Sequence, residues 1–420
     1  MNVNALSKNN WTPLHLACSW GKLETAQLLL DNGANMILKT GSEETALHAV
    51  ANGPHESIEG VRVTRLLLER GMNANTPGKN QCTPLHVASL KGKLEMARLL
   101  LDHGAKVDAV DEHGCAPLYW VSRGKCASEE AGHGVAKLLL ERGADVNRRS
   151  NTLYTPLRAA SYNAKLEIAR LLLDHGAQVD TVDDQGFTPL YCVSGGKYAS
   201  EEAGVGVARL LLERGADVNR RSNTQYTPLC VASYNAKLEI ARLLLDHGAQ
   251  VDSVDDRGFT PLHWVSRGDY ASEEAGVGVA KLLLERGADV NAHSKRQQTP
   301  LHVASDNGMF VIVRLLLDCG AKVDAVDDWG FTPLHDVSEG KYDSEGVGID
   351  ISRLLLERGA YVNAKNRYGE TSLDLASKRP KVAQLLVEHG ATAGFNTQAE
   401  PEPGPERTRA GLGRIGFFRR

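Results

Sequence analysis

Thr83–Gly104 reads TPLHVASLKGKLEMARLLLDHG and carries the signals of a complete helix pair. Thr83 is a favourable N-cap residue, and Pro84 at the first helical position lacks only an amide that would be unpaired there in any case. Gly92 ends this short first helix. The second helix has apolar side chains over too wide an arc for a helix with one buried side, so it must pack on more than one side. Gly104 then supplies a left-handed stop.

The same pattern recurs along the whole chain at two alternating spacings. Its Thr, or the residue in that place, is at Thr12, Thr45, Thr83, Ala116, Thr155, Thr188, Thr227, Thr260, Thr299, Thr332 and Thr371. Thr83 to Ala116 is 33 residues and Ala116 to Thr155 is 39, so two neighbouring copies together take 72 residues. A fixed period near 33 indicates one supersecondary unit stacked many times, each repeat contacting only its neighbours.

The additional residues lie between the two helices of alternate repeats, here called long repeats; the others are short repeats. From Thr83 to Leu99, the first leucine of the leucine block, there are 16 residues, whereas from Thr188 to Leu210 there are 22. Ser200 and the two glutamates after it predict an N-cap, and hence a second helix extended at its start or a structured loop. Glycines further on weaken that helix by about 1 kcal/mol each. The alternative is a tolerated surface insertion with no binding role.

These residues resemble the ankyrin repeat, over roughly positions 1–394. The likeness rests on TPLH at Thr12, Thr83, Thr260, Thr299 and Thr332, on the Leu-Leu-Leu block, and on Gly-Ala-Asp-Val-Asn at 143–147, 215–219 and 287–291. It implies an all-α-dominated solenoid of stacked helix-turn-helix units with β-hairpin loops, in which hairpin tips and first helices line a concave groove.

The resemblance also sets the domain boundaries. Eleven repeats are predicted to begin near positions 9, 42, 80, 113, 152, 185, 224, 257, 296, 329 and 368, with an insertion of five or six residues in alternate ones. Residues 395–420 change to a Pro- and Glu-rich run followed by a basic, glycine-rich end. Such a composition is typical of disorder, so residues 395–420 are predicted to be a disordered tail.

The fourth residue of the motif departs from the family in five repeats. In ankyrin repeats the TPLH histidine supports the hairpin through hydrogen bonds. Here Tyr119, Arg158, Tyr191, Cys230 and Asp374 stand in its place. Those repeats are expected to lose some of that support or to replace it.

Aromatic residues are concentrated at one repeat position, directly before the Thr. They are Trp11, Tyr154, Phe187, Tyr226, Phe259 and Phe331. In ankyrin repeats this position faces the groove, and stacking places successive side chains about 10 Å apart. Aromatic residues are enriched among interface anchors, so the six are candidate partner-binding residues. The alternative is that they pack one hairpin against the next.

Charges of alternating sign mark the hairpin tips. Basic candidates are Arg148, Arg149, Arg220 and Arg221, and acidic candidates are Asp183, Asp184, Asp255 and Asp256. Neighbouring tips of opposite charge are expected to neutralise one another, each exposed pair contributing under about 1 kcal/mol. The alternative is that they set the register of a charged partner. Trp20, Tyr162 and Tyr234 are further candidates because their first-helix positions face the groove in the family.

Composition excludes several classes of function. A formal net charge of −4 argues against general nucleic-acid binding, which depends on Lys and Arg at the phosphates. The seven cysteines have no metal-ligand spacing, and their odd number suits a reducing compartment. No apolar run reaches the roughly 20 residues that span a bilayer. The chain is therefore expected in the cytoplasm, with the nucleus as the alternative, and without membrane insertion.

Catalysis is not expected either. Most of the 14 histidines occupy two structural repeat positions, and no hydrolase, P-loop or zinc-protease motif is present. We therefore expect no catalytic residue, no metal and no cofactor. The predicted function is a monomeric, non-catalytic scaffold or adaptor that binds partner proteins. The alternative is a substrate-recognition subunit of an enzyme complex such as a ubiquitin ligase, with catalysis supplied in trans.

Overall fold

The computed structural model describes residues 2–54, 58–124, 126–196, 198, 200–268, 270, 273–340, 342 and 344–394. The predicted disordered tail, 395–420, lies outside these residues. The chain divides into two compact parts, Met1–Asp217 and Val218–Arg420, here called the N-terminal and C-terminal parts.

The described residues form α-helices in pairs, joined by turns, without any β-strand. The first helices of the pairs are α1 (Pro13–Ser19), α3 (Ala46–Asn52), α5 (Pro84–Lys91), α7 (Pro117–Arg123), α9 (Pro156–Tyr162), α11 (Pro189–Gly195), α13 (Pro228–Tyr234), α15 (Pro261–Arg267), α17 (Pro300–Asp306), α19 (Pro333–Glu339) and α21 (Ser372–Leu375). The second helices are α2 (Leu23–Asp31), α4 (Ile58–Glu69), α6 (Leu94–Asp102), α8 (Glu129–Glu141), α10 (Leu166–Asp174), α12 (Glu201–Glu213), α14 (Leu238–Asp246), α16 (Glu273–Glu285), α18 (Phe310–Asp318), α20 (Glu345–Glu357) and α22 (Pro380–Glu388). Short 3-10 helices occupy Lys79–Gln81 and Ala376–Lys378.

Helix starts and stops follow the local sequence. In α11, for example, the Thr188 hydroxyl accepts a hydrogen bond from the backbone N–H of Tyr191 at 3.1 Å, with proline at the first helical position. After α6, Gly104 adopts a left-handed φ of 84°, a conformation that costs glycine little. Within each part, helices of successive repeats pack on one another, which confirms the predicted helical stack.

The core of the stack consists of the apolar residues of the repeated motif. The motif leucines Leu85, Leu118, Leu190 and Leu262 are fully buried, as are Leu100, Leu139 and Leu283 of the leucine blocks. The second helices therefore pack on more than one side, as their wide apolar arc predicts.

Two kinds of junction alternate along the stack. From a short to the next long repeat, an ion pair joins the second helices, as in Arg142–Asp102 at 2.6 Å. The equivalent pairs are Arg70–Asp31, Arg214–Asp174, Arg286–Asp246 and Arg358–Asp318. From a long to the next short repeat, the Asn147 side chain instead donates to the Gly176 carbonyl at 3.1 Å and accepts from the Gln178 amide at 2.9 Å. Because the two junctions differ, the structural unit that recurs along the chain is a pair of repeats.

The additional residues of the long repeats extend the second helix. α12 has 13 residues, whereas α10 has nine. Ser200 is the N-cap, as predicted, and its hydroxyl accepts from the backbone N–H of Ala203 at 3.2 Å. The Tyr198 hydroxyl folds back to donate to the Val193 carbonyl at 3.2 Å, and its ring covers Gly204. The glycine that weakens the helix is thus the residue that makes room for this ring.

Replacing Gly204 by alanine should destabilise the protein although alanine is the better helix former. The added methyl group would overlap the Tyr198 ring, and overpacking costs about 1–3 kcal/mol, more than the roughly 1 kcal/mol gained in helix propensity. A lower urea midpoint is the expected result. In a Tyr198→Ala background the same substitution should become neutral or stabilising; a loss of equal size in both backgrounds would contradict the explanation.

Candidate functional site

The loops and first helices form the candidate binding surface, and buried histidines hold several of the loops in place. His263 Nδ1 lies 2.9 Å from the Thr260 hydroxyl, and Nε2 lies 2.9 Å from the Gln298 carbonyl in the loop of the next repeat. His48 makes the same bridge to the Cys82 carbonyl at 2.9 Å. Burial lowers the pKa of both imidazoles to about 4, so both are neutral at pH 7.

In three of the five repeats that lack the motif histidine, the residue in its place forms polar contacts of its own. Asp374 accepts from the Thr371 amide at 2.7 Å and from the Gly394 amide at 2.8 Å. The Cys230 thiol accepts from the Thr227 hydroxyl at 3.3 Å and donates weakly to the Ser253 carbonyl of the next loop at 4.0 Å. Arg158 forms a buried ion pair with Asp183, described next.

The Arg158 guanidinium reaches from α9 to the loop of the following repeat. Its Nε and Nη2 both lie 2.8 Å from Oδ2 of Asp183, and the side chains are 9% and 0% exposed. The guanidinium also covers the Tyr154 ring at 3.7 Å. Burial by itself would lower the pKa of Arg158, but Cys192 and Asp183 nearby outweigh it, and the pKa is raised.

The six aromatic residues before the Thr mainly pack within the protein. Tyr226, Phe259 and Phe331 are only 4–5% exposed, while Trp11, Tyr154 and Phe187 are half-buried. Several rings lie against the side chain in the histidine slot of their own repeat, as in Phe187–Tyr191 at 4.2 Å and Phe259–His263 at 5.0 Å. The expectation of six groove-facing rings is therefore wrong for the three buried ones, because the adjacent side chains cover them.

Each acidic tip contains one buried and one exposed carboxylate. Asp183 accepts from the backbone N–H groups of Gln185 and Phe187, both at 2.9 Å, and thereby closes its own turn. Asp255 does the same in the next long repeat, and burial raises its pKa. The expectation that these two are surface charges is wrong, because each is buried as a backbone acceptor; Asp184 and Asp256 are exposed.

The basic tips remain on the surface. Arg149, Arg220 and Arg221 are exposed, and Arg148 is half-buried. Arg221 Nη1 donates to the Val254 carbonyl at 2.7 Å. Within the described residues of the C-terminal part, neither Asp255 nor Asp256 forms an ion pair with these arginines. The expected mutual neutralisation is therefore not formed there.

The first-helix candidates keep part of their surface. Trp20, which follows α1, is 68% exposed, and Tyr162 and Tyr234 are half-buried. The Tyr234 ring meets Trp264 edge-on at 5.8 Å.

Two residues that pack under or beside these candidates, Trp264 and Arg267, were not in the candidate set. Trp264 is fully buried among Tyr226, Tyr234 and Phe259, and the Arg267 guanidinium lies 5.5 Å from its ring. The sequence contains a signal for both residues. Residues 155–223 and 227–295 are near copies, and they differ at both positions, where the first copy has cysteine and glycine.

Family models match most of the chain. The model for ankyrin repeats in three copies matches residues 33–111, 124–222, 196–293 and 269–366, and the single ankyrin repeat model matches residues 9–41. The chain belongs to the ankyrin repeat family. Members of this family are generally non-catalytic modules of protein–protein interaction, so the array is a protein-interaction domain.

Curated ankyrin-repeat relatives match only locally. Mouse ankyrin repeat and SOCS box protein 16 is 40% identical over 84 residues, 19% of this chain and 18% of that protein. Human SH3 and multiple ankyrin repeat domains protein 2 is 36% identical over 90 residues, 21% of this chain and 5% of that protein. Human Rabankyrin-5 is 34% identical over 98 residues, 22% of this chain and 8% of that protein. The chain thus spans less than a fifth of these three relatives.

No group of three or more His, Cys, Asp or Glu residues in the described ranges is placed to hold a metal ion. None of the helices described is long and apolar enough to span a bilayer.

Proposed function

We propose that the ankyrin array is a non-catalytic scaffold or adaptor that binds partner proteins through its loop tips and first helices. The observation that carries the proposal is the contrast between the two near copies. α10 and α14 are identical in sequence, and α12 and α16 differ only by Arg209 against Lys281. The first helices and loops instead differ at Gln185 and Arg257, among other positions. Loops and first helices that vary in sequence while the second helices stay constant are typical of a surface that selects partners.

The loop geometry supports the same proposal. Buried side chains close the loops of both signs: Asp183 and Asp255 accept from backbone N–H groups at the acidic tips, and the hydroxyls of Ser150 and Ser222 do so at the basic ones. The exposed charges of these loops are therefore held in place before a partner arrives. Such preorganisation reduces the entropy lost on binding. The alternative of a substrate-recognition subunit, with catalysis supplied in trans, stays a prediction that the same capture experiment addresses.

The proposal predicts that reversing charges at the loop tips weakens partner capture. The full chain, immobilised, is used to capture proteins from a cell extract, in parallel with an Arg149→Glu/Arg220→Glu variant. Both side chains are exposed, so the fold should be unaffected. We expect recovery of the same partners to fall severalfold, and to fall less at high salt, where surface charges are screened.

The matched control is Lys137→Glu/Arg209→Glu, which makes the same change of charge at exposed positions of α8 and α12. It should leave capture unchanged. Equal recovery by the tip variant and the unaltered chain would contradict the proposal. Recovery of a ubiquitin-ligase assembly, lost with the tip variant, would favour the alternative.

A further inference from the structure

The solvent-exposed side of α18, here called the outer side, carries different residues from those on the corresponding helices of the three preceding short repeats. α6, α10 and α14 all begin Leu-Glu, whereas α18 begins Phe310-Val311. The histidine that follows each of those helices is Cys319 after α18. Val311 is 37% exposed and Cys319 is exposed. Two polar surface positions have thus become apolar on one helix.

An open cavity of about 430 Å³ lies between α16 and α18 on this side of the C-terminal part. It is lined by Leu284, Ala288, Val290, Leu315 and Cys319, among others. This volume lies in the range of about 300–1,000 Å³ that binding pockets typically have.

The cysteine helps to keep the cavity open. In α6 the equivalent residue is His103, whose Nδ1 lies 2.9 Å from the Leu99 carbonyl, so that the imidazole ring folds back over its own helix end. The smaller thiol of Cys319 leaves that position uncovered.

The charges around the cavity point to the kind of partner. In α6, α10 and α14 an arginine pairs with the glutamate three residues before it, at 3.6, 3.9 and 3.7 Å. The equivalent Arg314 is exposed, has Val311 in place of that glutamate, and lies over the Phe310 ring at 4.7 Å. Lys281 lies on the opposite wall.

Two carboxylates share this surface with the cations. Asp318 is already paired with Arg358 at 2.7 Å, and Glu285 lines the cavity together with Lys281. Arg314, which directly precedes the lining residue Leu315, is therefore an exposed cation without its usual glutamate, and an acidic group of a partner complements it.

We propose that α16 and α18 form a second protein-binding site on the outer side of the stack, distinct from the loops and first helices. It takes an acidic, amphipathic segment of a partner protein. A leucine or aromatic side chain of that segment enters the cavity, and a neighbouring carboxylate pairs with Arg314. In this mode of binding an amphipathic segment lies in a groove of its partner. Its apolar side chains supply affinity, and the charges beside them supply selectivity.

The test uses a library of short random peptides displayed on phage and selected against the full chain. We expect the enriched peptides to combine Asp or Glu with Leu, Phe or Trp. A Val311→Glu/Cys319→His variant should bind them about tenfold more weakly or worse. Because α10 and α14 carry the same two residues, this variant should fold normally, which circular dichroism checks.

A second pair of variants separates the two surfaces. Arg314→Glu should weaken the acidic peptides while leaving the melting temperature unchanged, and Tyr234→Ser, on the first-helix surface, should not alter their affinity. Peptides without the acidic and apolar signature would overturn the inference. Peptides that bind the Val311→Glu/Cys319→His variant with unaltered affinity would also overturn it. If Tyr234→Ser abolished the binding of those peptides, the result would contradict the outer site but not the proposed function.

Discussion

Replacing Arg158 by alanine should cost about 3–5 kcal/mol of stability, the usual effect of removing one partner of a buried ion pair. The loss arises because Asp183 would remain buried, still closing its turn, with no cation beside Oδ2. Hydrogen exchange of the Asp183 loop and of α11 measures the local effect, and urea unfolding measures the global one. Both should show the loss.

Asp183→Asn is the matched background for this experiment. The asparagine keeps the side-chain oxygen that accepts from Gln185 and Phe187 but removes the charge. The double variant should therefore recover a substantial share of the stability lost by Arg158→Ala, since a neutral amide is cheaper to bury unpaired than a carboxylate. If Arg158→Ala alone stayed within about 0.5 kcal/mol of the unaltered protein, the ion pair would have no structural importance.

The second copy shows how the fold manages without this arginine. Cys230 replaces Arg158, Trp264 replaces Cys192, and the indole lies 5.2 Å from the Tyr226 ring. A large side chain lost on one helix is thus matched by a large one gained on its neighbour, which keeps the interior filled. The carboxylate is not compensated: Oδ2 of Asp255 is buried with no hydrogen-bond partner among the described residues, and burial raises its pKa.

The helix pairs could be predicted from the sequence because their signals are local. A Thr N-cap and proline at the first turn fix where most first helices begin, and a left-handed glycine fixes where the second helices end. The Ser200 cap was predictable for the same reason. The place of Gly204 was not, because the ring that needs its missing side chain comes from six residues earlier and folds back.

The candidate site was less predictable, because exposure depends on the neighbouring repeat. Phe331 and Trp20 are both aromatic residues at positions predicted to face the groove, yet one is 4% and the other 68% exposed. Phe331 is covered because His335 and the adjoining side chains enclose it, whereas Trp20 extends beyond α1. Likewise nothing in the Asp183-Asp184 pair indicates which carboxylate turns inward; the turn geometry decides it.

Acidification should destabilise the protein well above the pH at which its carboxylates titrate. Burial lowers the pKa of His48 and His263 to about 4, against 6.5 in the unfolded chain. Between these values the unfolded chain binds protons that the folded chain does not, so the free energy of unfolding falls as pH drops from about 6.5 towards 4. For each histidine, the difference between these two pKa values corresponds to roughly 3 kcal/mol of the free energy of unfolding. The folded protein has this contribution in full above pH 7 and has lost it near pH 4.

The structural cause of this pH dependence is the hydrogen bonding of the two rings. His48 Nδ1 accepts from the Thr45 backbone N–H at 3.2 Å while Nε2 donates to the Cys82 carbonyl, so a second ring proton would confront a donor. Unfolding in urea between pH 7.5 and 5, with hydrogen exchange of α3 and α15, measures the slope before carboxylates contribute. His48→Gln and His263→Gln cannot take up the proton, so each variant should be less stable at pH 7.5 but should show a shallower slope. A slope that neither substitution changes would assign the acid sensitivity to other groups.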